Sequence, residues 1–522
     1  MSRAQIGALT WIGLLSIWVF FPSYDGFIWD DQLLVLNNGN TSGWTAFGRL
    51  WTEDLWARVP GEHAHHWYRP LMTLTLWIDH QLFGQNITAA ISHSAVYAIL
   101  CATLFWKLLR NWKVETSSAI LGMVFFCLHP LQIEGLRFIA ARNDLMSMAA
   151  MLATAHLLSK NNSSLLIFGT TLMALLSKES SVLILPLLLL AQYTVKQTKP
   201  NRIHLLAMGT SVAIWSLLRW NAVSTSPELE ILEAARVLPV AAACLMVPIK
   251  CPAATPPLEL TSLSLFGLIP LMAFSFIGIR RNKVALAAAT IGFPSLCLAS
   301  QAAVLSNGMA HRYLLWPLLA LSILVATVRL NKMMIPMSAL LGLGLAIVSK
   351  QHTAHWKSTI DLWTHAHTQF PSSQSACGLF KQFEKANQHE SAFPYLIEAV
   401  TAPVSPHCCF NASRYPFSQA HLESTIYAGQ YALQQGCPQS PELLAPLAMA
   451  EALSGNWSDA KTHAGVFGTD PWGFGPVILA AEGMRRGDEK PLIEWTQHAG
   501  QTDTEPLRLR AEKLIEQADR FD

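Results

Sequence analysis

Ile6-Gly-Ala-Leu-Thr-Trp-Ile-Gly-Leu-Leu-Ser-Ile-Trp-Val-Phe-Phe21 is an apolar run without a charge, and Phe27-Ile-Trp-Asp-Asp31 follows it closely. Such a run suits a membrane-crossing helix. Only Arg3 precedes it as a basic residue, and no small-x-small cleavage site ends it, so it reads as a retained helix. Asp30 and Asp31 then sit where the chain has just left the bilayer. Carboxylates at that depth are costly unless they serve a function. An acid–base role at the membrane surface is therefore expected of one of them.

Outward from this stretch, the composition is that of a polytopic membrane protein. Of its 522 residues 52% are hydrophobic and 13% charged, with mean hydropathy +0.31. Soluble domains carry about 25% charged residues. The net charge of +2 gives no footing for nucleic acid. Composition changes near residue 350, which predicts a transmembrane domain over 1–350 and a polar domain over 351–522. Eleven apolar runs are found near 6–22, 87–108, 116–130, 144–159, 164–177, 181–195, 203–219, 263–279, 284–300, 313–328 and 333–349. Basic clusters mark alternate connections, among them Lys107, Arg110 and Lys113, then Lys196, Lys199 and Arg202. The positive-inside rule makes those connections cytoplasmic. The N-terminus is then inside, and everything after Lys350 outside.

The long or charged loops all fall on the outer face. The first carries Asp25, Asp30, Asp31, several tryptophans and His63-Ala-His-His-Trp-Tyr-Arg-Pro70, before a short interfacial helix over 71–83. The second carries His129-Pro-Leu-Gln-Ile-Glu134, Arg137 and Arg142-Asn-Asp144. Ser177-Lys-Glu179 forms the third, and His311-Arg312-Tyr313 lies at the mouth of the tenth run. A transporter is expected to place polar groups at the membrane midplane as well. Here the helix interiors are nearly free of charge, which points to chemistry at one surface.

WDD after the first helix, YRPL, HPLQIE with a following ARNDL, LLSKES and HRYLLWP occur in that order. This arrangement resembles the GT-C class of polyprenyl-phosphate-sugar-dependent glycosyltransferases. It is most similar to transmembrane O-mannosyltransferases that end in tetratricopeptide repeats, and to their bacterial relatives. His311 stands where that family commonly has an acid before Arg-Tyr. The resemblance implies an all-α fold, a membrane bundle followed by a helical solenoid, and transfer of a sugar to a protein hydroxyl.

That chemistry needs a base for the acceptor proton, cations for the departing phosphate and a greasy groove for the prenyl chain. Asp30 and Asp31 are the candidate bases, with Asp31 slightly favoured. Arg142, Lys178 and Arg312 are candidates for the phosphate, while His129 and Glu134 are suited to organising the acceptor or the sugar. Arg69, Asp144, Glu179 and His311 complete the expected substrate-binding set. An inverting transfer with one base fits such a set better than double displacement. Each residue also has a structural reading: an ion pair for Glu134 with Arg137, a helix-start pair for Arg142 with Asp144, a snorkelling side chain for Lys178. His63, His65 and His66 invite a metal reading, but no Cys or further acid completes a site at ligand spacing. No metal or cofactor is expected beyond the lipid-linked sugar.

In the polar region Pro371, Pro403, Pro438, Pro471 and Pro506 recur every 32 to 35 residues. Tetratricopeptide units have a period of about 34 residues and often close with proline. Asn387, Ala392 and Pro403 match Gly455, Ala460 and Pro471 in spacing. About four degenerate units are expected, offering a concave face to an acceptor protein. Cys437 is expected to bridge to Cys408 or Cys409 in this outside compartment, with Cys244, Cys251 and Cys377 unassigned. The competing readings are a transferase acting on a lipid or glycan, and a non-enzymatic scaffold. The location expected is a bacterial inner membrane with a periplasmic C-terminal domain, or an ER membrane with a luminal one.

Overall fold

The computed structural model describes residues 3–21, 25–36, 43–59, 67–223, 231–246, 272, 276, 282–305, 309–330, 334–401, 406–409, 411–418, 421–466, 473–498 and 504–520. The chain is all-helical, with no strand among the described residues. It divides into two compact units, Met1–Gln369 and Phe370–Asp522.

The first unit opens with α1 (Arg3–Phe20), α2 (Gly43–Arg49), α3 (Pro70–Phe83) and α4 (Ile87–Asn111). It continues through α5 (Thr116–Leu128), α6 (Gln132–Arg137), α7 (Arg142–Ser159), α8 (Ser164–Ser177), α9 (Ser181–Lys196) and α10 (Arg202–Ala222). Then come α11 (Ile231–Met246), α12 (Lys283–Leu305), α13 (Leu315–Val325), α14 (Met334–Ala354) and α15 (Thr359–Gln369). Three of these, α4, α10 and α12, are long and apolar enough to cross a membrane. Shorter apolar helices include α5, α8 and α9. The run expected over 263–279 lies almost wholly outside the described residues, as do His63, His65, His66 and Cys251.

Two features of the helices bring polar groups together. Small residues let backbones approach: a Cβ on Gly122 of α5 would meet Ala326 Cβ at 2.8 Å and the Ser322 carbonyl at 2.9 Å. α7, by contrast, is buried on nearly every side. It packs on α4 and α8, which surround its polar first turn with protein.

α15 is polar in composition, which is why the sequence groups it with the solenoid. It nevertheless packs into the first unit, burying Leu362 and Trp363. Its His365 ring stacks on His355, with centroids 3.7 Å apart and an interplanar angle of 4°. His352 meets both rings edge-on. Burial pushes the His365 imidazole down to about 4, helped by His355 and His311, and burial also lowers His355. A histidine whose folded value is depressed binds its proton better in the unfolded chain. Stability from this stack is therefore whole above about pH 6.5 and declines as pH falls from there toward 4. Thermal unfolding in detergent is expected to show that decline, and His365→Phe is expected to flatten it.

The second unit pairs α16 (Ser373–Lys385) with α17 (His389–Ala399) and α18 (Asn411–Ser418) with α19 (Leu422–Gln434). It then pairs α20 (Pro441–Leu453) with α21 (Trp457–Val466), followed by α22 (Phe474–Arg485), α23 (Lys490–His498) and α24 (Glu505–Ala518). The matched positions Asn387 and Gly455 both take left-handed backbone (φ 56° and 79°) in the turns between paired helices. Ala392 and Ala460 are both fully buried. Pro403 and Pro471 lie outside the described residues.

Cys437 is bonded to Cys409, one of its two expected partners. A second bridge, Cys377–Cys408, was not expected, and Cys244 is also disulfide-bonded. The first two bridges close loops of sequence separation 28 and 31. Loops of that size stabilise by about 3–4 kcal/mol each in the chain-entropy account.

Candidate functional site

The Trp29-Asp30-Asp31 stretch forms a tight turn: the Asp31 N–H donates to the Ile28 carbonyl at 2.9 Å, and the Leu34 N–H to the Asp30 carbonyl at 2.8 Å. A π-helical turn, Gln32–Leu36, follows directly. Such turns cluster at functional sites. Trp29 has φ +49°, left-handed backbone that a bulky residue rarely adopts.

The two aspartates part company here. Asp31 is buried, and its oxygens accept the backbone N–H groups of Ile139 (2.9 Å) and Ala140 (2.7 Å). Burial pushes its carboxyl up to about 8, while those two amides and Arg142 pull the other way. Asp31 thus ties the Trp29–Asp31 turn to the start of α7. Asp30 is half-buried and follows Trp29, whose ring lies 5.9 Å from the Arg312 guanidinium. The sequence slightly favoured Asp31 as base; its carboxylate is buried on two backbone amides, whereas Asp30 is half-buried.

Three acid–base pairs gather around that point. Arg312 pairs with Glu134, whose side chain is fully buried, and its own backbone N–H donates to the second Glu134 oxygen at 3.1 Å. Lys178 pairs with Asp144. Arg69 Nε meets Glu179 Oε2 at 3.0 Å. Glu134 thus pairs with a residue 178 positions away, not locally with Arg137.

The cations also share aromatic walls. The Tyr313 ring lies 4.9 Å from the Arg312 guanidinium and 5.6 Å from Lys178 Nζ. Arg312 further faces Phe138 (5.4 Å) and Trp29 (5.9 Å). Burial lowers the Lys178 ammonium, Asp144 raises it, and Arg69 and Arg312 lower it again.

Arg142 is committed elsewhere. Its side chain is fully buried, with Nη2 2.7 Å from Asp79 Oδ2 and 2.7 Å from the Ala90 carbonyl, and Nε donating to Ser94 Oγ at 3.0 Å. Asp79 Oδ1 also meets His93 Nδ1 at 2.6 Å. Arg142 therefore locks α7 to α3 and α4, through Asp79, Ser94 and the Ala90 carbonyl. Sequence reading missed Asp79, His93 and Ser94. The signal was present, since Asp79 is the lone acid in an otherwise apolar helix.

His129 and His311 form a different neighbourhood. His129 is buried, and its Nδ1 accepts the Leu131 N–H at 3.3 Å, which orients the turn into α6. His311 is buried beside it and next to Arg312. No group of three or more potential ligands among the described residues is arranged to hold a metal.

With this geometry in place, comparison with known proteins bears on its meaning. Human protein O-mannosyl-transferase TMTC4 is 28% identical over 151 residues, covering 26% of this chain and 20% of that protein. Its curated relatives are protein O-mannosyl-transferases. A Caenorhabditis elegans protein O-mannosyl-transferase, F38B6.6, is 23% identical over 203 residues, 37% of this chain and 29% of its own. Human TMTC3 is 23% identical over 155 residues, 29% of this chain and 17% of its own. The matched stretches thus span under a third of each relative. No family model and no solved structure matches.

Proposed function

We propose that this chain is a GT-C glycosyltransferase that moves a sugar from a polyprenyl-phosphate donor to a protein hydroxyl at the outer membrane face. The observation that carries the proposal is the Arg312 guanidinium 5.9 Å from the ring of Trp29, the residue before Asp30, with the Tyr313 ring facing both Arg312 and Lys178. The acceptor oxygen attacks the anomeric carbon, and the bond from that carbon to the phosphate oxygen breaks. Asp30 takes the hydroxyl proton, and the phosphate leaves carrying its added negative charge. Arg312 and Lys178 stabilise that charge where it develops, in a site largely shielded from water. One base and no covalent intermediate make the transfer inverting. Eleven membrane helices, with the N-terminus inside, would put this cluster on the periplasmic or luminal side. The second unit, read as a tetratricopeptide-like solenoid, would hold the acceptor protein. The names of the curated relatives support a protein acceptor.

Mass spectrometry of envelope or luminal proteins with and without the gene tests this. Loss of O-linked hexose from proteins is the expected result. Loss from a lipid or glycan instead would overturn the protein acceptor, and no change in any class would favour a scaffold.

A further inference from the structure

Thr359 opens α15, and its hydroxyl does something unusual for that position. A Thr at a helix start ordinarily caps its own first turn. Here Ser358 serves α15, its Oγ accepting the Asp361 N–H at 3.2 Å. Thr359 Oγ1 turns to the first outer loop and accepts the Trp29 N–H at 3.0 Å and Gln32 Nε2 at 3.3 Å. Gln32 Nε2 also donates to the Phe27 carbonyl at 3.0 Å, so one amide group closes the loop on itself and on Thr359. Neighbouring contacts fix the same docking. The Asp25 N–H donates to the Lys357 carbonyl at 3.2 Å, and Arg137 Nη2 to the Trp356 carbonyl at 3.0 Å. Trp363 sets an edge on Trp29 at 5.1 Å, while Phe138 stacks on Trp29 at 5.5 Å.

What these contacts hold is a strained residue. A bulky side chain at φ +49° costs about 1–3 kcal/mol and persists only where its surroundings over-determine it. Trp29 is gripped at its backbone by Thr359 and at its ring by Phe138 and Trp363. The next residue is Asp30. If the Trp29 backbone relaxes, the Asp30 carboxylate moves with it relative to Arg312.

We propose that Thr359 is a positioning residue for the transfer: its hydroxyl oxygen holds the Trp29 amide, and so fixes the turn that carries Asp30, where the Trp29 ring faces Arg312 at 5.9 Å. This rests on the reading of Asp30 as the base. Thr359 is 5% exposed. It sits beyond the membrane-like part of the sequence, where nothing but the fold connects it to the WDD stretch.

The test compares Thr359→Val, which keeps the shape and removes the acceptor, with Thr359→Ser, which keeps the hydroxyl. Full-length protein in detergent is assayed with polyprenyl-phosphate mannose as probe donor. The acceptor is a Ser/Thr peptide from a protein that loses hexose in the deletion strain. Amide exchange over residues 27–34 is followed in parallel. Thr359→Val is expected to lower kcat about tenfold or more, with the donor KM within about twofold, because small misplacements of a reacting group carry large rate costs. It is also expected to deprotect the 27–34 amides, and Thr359→Ser to restore both readouts. Unchanged exchange in Thr359→Val overturns the proposal, as does fast exchange with normal kcat. Equal impairment in Val and Ser overturns it too, since bulk and not the hydroxyl would then matter. Asp30→Asn serves as the separate control. Wild-type transfer by that variant would fail the base reading, whereas an inactive Asp30→Asn beside a normal Thr359→Val would fail only the positioning.

Discussion

Asp30→Asn is expected to fold normally and to lose transfer by about 10²- to 10⁴-fold in kcat/KM, the usual contribution of a general base. The argument is one of contrast with its neighbour. Asp30 is half-buried next to Trp29, whose ring faces Arg312 at 5.9 Å, and the amide substitution removes proton affinity while keeping size. Asp31 accepts two backbone N–H groups from Ile139 and Ala140. In Asp31→Asn one acceptor oxygen becomes an NH₂ facing an amide donor, and a buried amide loses its partner at a cost of about 1–3 kcal/mol. Asp31→Asn is therefore expected to lower the unfolding midpoint, and Asp30→Asn is not. The pair is read by thermal unfolding in detergent alongside transfer from polyprenyl-phosphate mannose. If Asp31→Asn is the stable, inactive variant and Asp30→Asn the active one, the assignment of base and clamp is reversed.

The contrast also marks how far the sequence could be read. The all-helical fold was legible, because the apolar runs and the charged stretches between them are local features. Which aspartate faces the cations was not, because that depends on a left-handed Trp29 and on amides more than 100 residues away. Lys178, Asp144, Glu134 and Arg312 were legible as a set: each sits at a helix end, where charge is conspicuous against apolar neighbours. Their pairing was not, since sequence proximity suggested Glu134 with Arg137 and the fold joins Glu134 to Arg312. α15 was misplaced for a physical reason as well. A helix of polar composition can still pack on the first unit through a few buried side chains, so composition alone grouped it with the unit that follows. Arg142 and Lys178 looked alike in sequence. Asp79, with Ser94 and the Ala90 carbonyl, holds Arg142 against α3 and α4, whereas Lys178 pairs with Asp144.

That commitment yields the largest expected effect on stability. Asp79→Ala leaves the fully buried Arg142 guanidinium without its carboxylate, and removing one partner of a buried ion pair costs about 3–5 kcal/mol. The remaining contacts, Ser94 Oγ and the Ala90 carbonyl, accept hydrogen bonds but carry no net charge. His93 cannot help, since its Nδ1 lies 3.5 Å from Arg142 Nη1 and protonation would add a second cation. The single variant is expected to unfold well below wild type in detergent. Replacing both members, as in Asp79→Leu with Arg142→Met, removes the charge together with its desolvation cost. Most of the lost stability is then expected to return, as it often does when a buried pair gives way to apolar groups. The double variant also decides what Arg142 is for. A scaffold pair leaves transfer activity substantially restored with the fold. A phosphate-binding arginine leaves the refolded double variant inactive.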